Sequence, residues 1–184
     1  MLKFSEKYKK EVIPAMMAKF GYRSVMAVPQ FKKVVVNTGF GRIVAGKGND
    51  EQKKIQDAIL QDLTTICGQK ANLRVAKKSI SSFKIREGQG VGASCVLRKI
   101  RMQDFLERLI NIVLPRSRDF QGIDQKSLDS KGNLTFGIRE HIAFPEVSPE
   151  KTKSIFGLEV TISTNAKNRA EGFELLKLIG FPIK

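Results

Sequence analysis

Phe4, Tyr8, Val12, Met16 and Phe20 recur every four residues, with Lys3, Lys7 and Lys10 off that stripe. This is the pattern of an amphipathic helix. Pro14 lies inside it, so the helix is expected to bend or restart there. Phe31–Thr38 contains Val34, Val35 and Val36 and reads as a strand that ends in the glycine-spaced turn Gly39-Phe40-Gly41. Ile55, Ala58, Ile59, Leu63 and Ile66 define a second helical face, with Asp62 as its polar exception and Gly68 placed to end it. Leu73–Ala76 is a short predicted strand, and residues 77–90 form an exposed excursion with few core-forming side chains. Val91–Arg98 returns as a strand with Val91, Ala93, Cys95 and Leu97 on one face and Gly92, Ser94, Val96 and Arg98 on the other.

Met102, Phe105, Leu106, Leu109, Ile110 and Val113 fit helical spacing, and Pro115 is expected to stop that helix. A polar connection runs to Gly132. Leu134–Ile138 and Leu158–Ser163 are predicted strands, the second with Leu158, Val160 and Ile162 facing the core. Thr164 or Asn165 is placed to cap a last helix carrying Phe173, Leu176 and Ile179. The order α-β-α-β-β-α-β-β-α predicts an α+β sandwich with a mainly antiparallel sheet and helices on one face. The other face is left for a ligand. Residues 1–184 have the size of one domain.

Charge narrows the ligand. The formal net charge is +15. Residues 1–42 carry +7 and residues 69–101 carry +8, while the other segments together are neutral. A surplus confined to two segments reads as a surface for a polyanion. No apolar run reaches the length of about 20 residues that spans a membrane. Lys9 and Lys10 interrupt any signal-like core before Pro14. Cys67 and Cys95 lack metal-type spacing and read as two thiols of a cytoplasmic protein.

The sharpest candidate site is the excursion. Ala76–Arg86 carries Lys77, Lys78, Lys84 and Arg86 together with Ser79, Ser81 and Ser82, and no acid precedes Glu87. Cations neutralise phosphates, hydroxyls donate to phosphate oxygens, and Phe83 is able to stack or anchor. A plain solvated loop is the alternative, disfavoured by the absence of paired acids. A second candidate is the strand face around Asn37 and Thr38, with Gln69, Lys70 and Arg98 nearby. Such amides and small polar groups suit an RNA minor groove, although turn and edge residues have the same character.

Enzymatic readings are weaker. Gly41–Gly48 nearly spells a phosphate-binding P-loop, but Gly48 replaces the Ser or Thr that would ligate Mg²⁺. His141, the single histidine, has no Cys partner and precedes an apolar run, which points to a structural or surface role. No catalytic set, metal site or cofactor is expected. Nucleotide hydrolysis and a free basic RNA chaperone are the alternatives to a structural RNA-binding role.

Longer motifs sharpen the reading. Gly68-Gln69-Lys70, Ala76–Ile80 and Phe83–Gly88 are joined by Arg101-Met102, Phe105–Ile110, Leu114-Pro115-Arg116 and Arg118-Asp119-Phe120. Gly132-Asn133, Gly137-Ile138, Phe144-Pro145-Glu146 and Gly180-Phe181-Pro182 come after them in order. The chain resembles the bacterial 5S rRNA-binding ribosomal proteins of the L-five family across about residues 8–183.

The resemblance implies a structural constituent of the large subunit that fastens 5S rRNA in the central protuberance. It implies rRNA contacts at the sheet face and N-terminal part, through Lys7, Lys10, Arg23, Asn37, Thr38, Gln69, Lys70 and Arg98. The excursion, about Arg74–Gly90, would reach P-site tRNA through Arg74, Lys77, Lys78, Ser79, Ser82, Lys84 and Arg86. Arg116, Arg118 and Asp119, and the loop near Ile142–Val147, would face a small-subunit head protein in an intersubunit bridge. The remaining implied partners are large-subunit rRNA and neighbouring protuberance proteins, with the chain a monomer within the ribosome.

The chain departs from the family pattern in three places. Val96 stands where Thr is usual, Lys99-Ile100 where Gly-Glu is common, and Ala45–Lys54 reads as a lengthened loop.

Overall fold

The N-terminal apolar stripe becomes one continuous helical path whose hydrogen-bond register changes ahead of its proline. In the computed structural model, which describes residues 3–118, 120–148 and 154–184, α1 (Phe4–Lys7) runs into a π turn (Tyr8–Val12) and leaves it as α2 (Ile13–Phe20). Pro14 has no N–H to donate, and its ring crowds the carbonyl four residues back, that of Lys10. Widening the turn around Lys10 relieves both problems without a break. The same arrangement recurs at Pro115. There α5 (Lys99–Arg108) passes through a π turn (Leu109–Val113) into α6 (Leu114–Arg116). Pro115 was expected to stop that helix, but the π turn carries it on to Arg116.

Among the described residues the strands form a five-stranded antiparallel sheet, ordered β2-β3-β1-β5-β4. They are β1 (Phe31–Gly39), β2 (Asn72–Val75), β3 (Gly90–Leu97), β4 (Leu134–Ile138) and β5 (Leu158–Thr164). Two further helices bear on the sites: α3 (Gly41–Val44) and the long α4 (Asn49–Cys67), which Gly68 ends in a left-handed C-cap. The helix α7 (Arg169–Ile179) closes the series. The α+β class expected from the element order is the class observed. Ala45–Lys54 is not a simple lengthened loop, because Asn49–Lys54 form the first turns of α4.

The chain divides into two compact units. The first is drawn from 1–34, 98–136 and 160–184. There α1 packs against α5, and α7 against the π turn of 8–12 and α2. Val12, Met16, Phe105, Leu109 and Leu176 are fully buried, each contributing about 1.5–3 kcal/mol by leaving water. Lys7 Nζ donates to the Ile179 carbonyl at 2.8 Å, at the C-terminal end of α7, where a cation is favoured.

The start of α7 differs from expectation. Its N-cap position is Asn168, without a side-chain cap bond. The Glu171 carboxylate instead accepts from the Lys167 N–H at 2.9 Å. Thr164 and Asn165, expected as caps, bind elsewhere: Thr164 Oγ1 donates to the Gly132 carbonyl, and Asn165 Oδ1 accepts from Gln30 N–H.

The second unit, from 35–97 and 137–159, is built where α4 packs against β3. Ile59, Leu63 and Ile66 of α4 and Ala93, Cys95 and Leu97 of β3 are all buried. The face of β3 expected to be apolar is therefore the core face, and both cysteines are buried thiols.

In the first unit Gly132 and Gly172 touch with no room between them. A Cβ on Gly172 would lie 2.3 Å from the Gly132 Cα. Gly172→Ala is expected to cost about 1–3 kcal/mol, because rigid backbone must move. Gly39→Ala, where a Cβ meets nothing within 4 Å, should change stability far less. Chemical denaturation measures both, and equal losses would contradict the packing described.

Candidate nucleic-acid interface

In the second unit, β2 and β3 pair antiparallel with Arg74 opposite Gly92 and Val75 opposite Gly90. The register slips between Arg74 and Val75. A bulge of this kind twists the edge and re-aims the chain beyond it, which here is the basic excursion. The strand β2 is exposed along its length.

The excursion is more built than its composition implied. Ala76 N–H donates to the Gln89 carbonyl at 2.8 Å, and Gly88 N–H returns to the Ala76 carbonyl at 3.0 Å. Farther out, Ile80 and Ile85 exchange bonds of 2.9 and 3.2 Å around a 3₁₀ turn (Ser81–Phe83). Ser79 Oγ accepts from Glu87 N–H at 2.9 Å. The nearest anchor is Ile85, whose Cδ1 lies 3.5 Å from where a Gly41 Cβ would be. Lys77, Lys78, Ser79, Ser82, Phe83, Lys84 and Arg86 are exposed on this frame. Among the described residues their side chains form no ion pair.

The sheet face is also reordered. Alternation along β1 separates Asn37 from Thr38. Thr38 is buried and its hydroxyl donates to the Gly157 carbonyl at 2.8 Å. It was expected beside Asn37 as an RNA contact, and it points to the core instead. Asn37 stays half exposed with its amide 3.4 Å from Glu159 Oε2. Arg74, expected among the loop's contacts, lies on the sheet. Its Nε donates to Ser94 Oγ at 2.8 Å, and Ser94 and Val96 share that face. Gln69 Nε2 donates to the Val96 carbonyl at 3.2 Å, which fixes the amide beside the partly exposed Val96.

The remaining expected residues scatter. Lys10, Arg23, Lys70 and Arg98 are exposed. Lys7 has its ammonium on the Ile179 carbonyl. Arg116 and Arg118 are exposed, and Asp119 lies outside the described residues. Lys99 holds φ +52°, a left-handed backbone that costs a non-glycine residue about 1–2 kcal/mol.

Gly41–Gly48 forms no phosphate cradle between strand and helix. Gly41–Val44 is the helical turn α3, and Lys47 Nζ is held by Glu51 Oε1 at 2.9 Å.

Sequence reasoning missed the use made of Asp62. This carboxylate stands 3.7 Å from Nε2 of His141, which is fully buried and stacked 3.8 Å from the Phe156 ring. Phe156 N–H donates to Nδ1 at 3.3 Å, which leaves the imidazole proton on Nε2. The signal was present in the polar interruption of an otherwise apolar helical face.

Burial depresses the His141 pKa, against the opposing pull of Asp62, and burial raises that of Asp62. A histidine whose folded pKa lies below 6.5 stabilises the fold above that pH and loses this contribution as pH falls. Wild type is therefore expected to lose stability between about pH 7.5 and 5.5 faster than His141→Gln. Parallel pH profiles in urea denaturation would contradict a neutral buried imidazole.

Comparison with known proteins covers nearly the whole chain. Residues 24–86 match the family model described as ribosomal protein L5, and residues 90–183 match the model for the C-terminus of the same ribosomal family. Large ribosomal subunit protein uL5 of Halothermothrix orenii is 47% identical over 178 residues, covering 97% of this chain and 96% of that one. The uL5 of Fervidobacterium nodosum is 46% identical over 179 residues, covering 97% and 94%. That of Dichelobacter nodosus is 45% identical over 184 residues, covering 100% and 99%.

Proposed function

The chain belongs to the ribosomal L5 family and is a non-enzymatic structural constituent of the large ribosomal subunit, and we propose that it meets two RNAs through two surfaces of its second unit. The sheet face of Asn37, Arg74 and Val96, with Gln69 beside it and the buried Ser94 hydroxyl holding Arg74, binds 5S rRNA and helps attach it in the central protuberance. Lys70 adds a cation to that surface, and Lys10, Arg23 and Arg98 of the first unit make rRNA contacts of their own. The excursion contacts P-site tRNA through Lys77, Lys78, Ser79, Ser82, Lys84 and Arg86. Arg116 and Arg118, exposed on the first unit, face a small-subunit head protein.

One observation carries the division. The excursion is a hydrogen-bonded hairpin whose exposed cations lack carboxylate partners among the described residues, whereas the sheet face offers amides and one arginine already oriented by the buried Ser94 hydroxyl. Unpaired lysines neutralise phosphates without reading sequence, and fixed amides and hydroxyls suit base edges and 2′-hydroxyls. Two chemistries on one unit support two kinds of contact. Val96, lacking a hydroxyl, removes one hydrogen bond from the face, a loss of about 0.5–1.5 kcal/mol that leaves binding intact.

Filter binding with purified 5S rRNA and tRNA across salt tests the division. Asn37→Ala and Arg74→Ala should each weaken 5S rRNA binding by about 0.5–3 kcal/mol and leave tRNA binding unchanged. A combined Lys77→Ala and Lys78→Ala variant should do the reverse and flatten the salt slope of tRNA binding by roughly two units. Equal effects of both sets on both RNAs would contradict two surfaces. The wild-type chain should also co-sediment with large subunits.

A further inference from the structure

The first turns of α4 and the inner side of the excursion enclose a groove of about 910 Å³ within the second unit. Its α4 wall includes Gln52, Lys53 and Gln56, and its excursion wall includes Lys84, Arg86 and Glu87. The volume lies near the top of the range of roughly 300–1,000 Å³ for ligand sites, yet such sites are ordinarily lined by apolar and aromatic groups. Here Ile85 is the only large apolar side chain among the described lining residues. An apolar ligand finds little to bury against.

The groove is held open by hydrogen bonds between its walls. Gln89 Nε2 donates to Gln52 Oε1 at 3.1 Å, and Gln56 Nε2 donates to the Gly90 carbonyl at 3.3 Å. Gly90 has no side chain where Gln56 crosses it, since a Cβ there would lie 2.9 Å from the Gln56 amide. These contacts brace the excursion against a helix that is packed into the core.

The charges are unbalanced. Lys47 is held by Glu51. Lys53, Lys84 and Arg86 form no ion pair among the described residues, and they face one lining carboxylate, Glu87. Lys84 sits in this lining with its backbone at φ +52°. Cations on opposite walls of a polar groove repel one another until an anion lies between them.

We propose that this groove holds a phosphodiester segment of RNA, with Lys53 of α4 completing a phosphate site that Lys84 and Arg86 begin. The inference rests on the reading of the excursion as a tRNA-contacting loop. It extends that contact from an isolated loop to a two-walled site, with the glutamine amides bracing the walls and the cations meeting the phosphates.

Lys53 is exposed on α4, so its replacement leaves the core untouched. The full-length chain carrying Lys53→Glu, and separately Lys53→Ala, is titrated with tRNA and with 5S rRNA across salt, beside Lys84→Ala. Lys53→Glu is expected to weaken tRNA binding about tenfold, with Lys53→Ala weaker in effect and lowering the salt slope by about one unit. Affinity for 5S rRNA should stay within about twofold of wild type. If Lys84→Ala weakens tRNA binding and neither Lys53 variant does, the groove is overturned and the loop reading stands. If no variant alters tRNA binding, both fall. If a poly-glutamate chain displaces tRNA as well as competing RNA does, the site is one for acidic protein, and the proposal is overturned.

Discussion

The pairing of β2 with β3 is the contact on which both proposed RNA surfaces depend. Gly92 has to be glycine because a Cβ would press on the Thr38 carbonyl of the neighbouring strand at 2.9 Å, and Gly90 because Gln56 lies across it. Those close approaches seat β3 against β1 and α4. The ladder then presents Arg74 on the open face, held by the buried Ser94 hydroxyl, and the slip after Arg74 turns the chain outward. A sheet face for amides and a hairpin for lysines thus arise from one short antiparallel pair. Disturbing it would move both at once.

This origin explains why a basic hairpin with so little core stays shaped. Its cations would separate a free loop, so its conformation is fixed by backbone bonds at Ala76–Gln89 and Ile80–Ile85 and by the braces from Gln52 and Gln56. None of these draws on hydrophobic burial. The core of the second unit lies instead between α4 and β3, with the His141–Phe156 stack in the same unit. Stability and the proposed RNA contact therefore rest on different residues, and the surface can carry excess charge that a core would not tolerate.

Much of this was legible in the chain. Period-two and period-3.6 patterns gave β1, β3, β5, α4 and α5, and the confined charge gave the excursion. What escaped has particular causes. Each proline reads as a stop because the π turn that absorbs it has no residue signature of its own. Asn37 and Thr38 were grouped by polarity, although adjacent strand residues point to opposite faces, so that signal existed and was outweighed. Arg74 reads as the loop's first cation until the pairing register puts it opposite Gly92. The groove needed the fold, because Lys53 and Lys84 lie thirty-one positions apart in the chain and meet only through the packing of α4.

The central claim is that the sheet face and the excursion touch different RNAs, and directed hydroxyl-radical cleavage measures this most directly. Both native thiols are buried, so an iron chelate can be tethered at Asn37→Cys or at Lys78→Cys in large subunits reconstituted with the full chain. The account predicts cuts in 5S rRNA from position 37 and in P-site tRNA from position 78. Cleavage of the same RNA from both positions would contradict it.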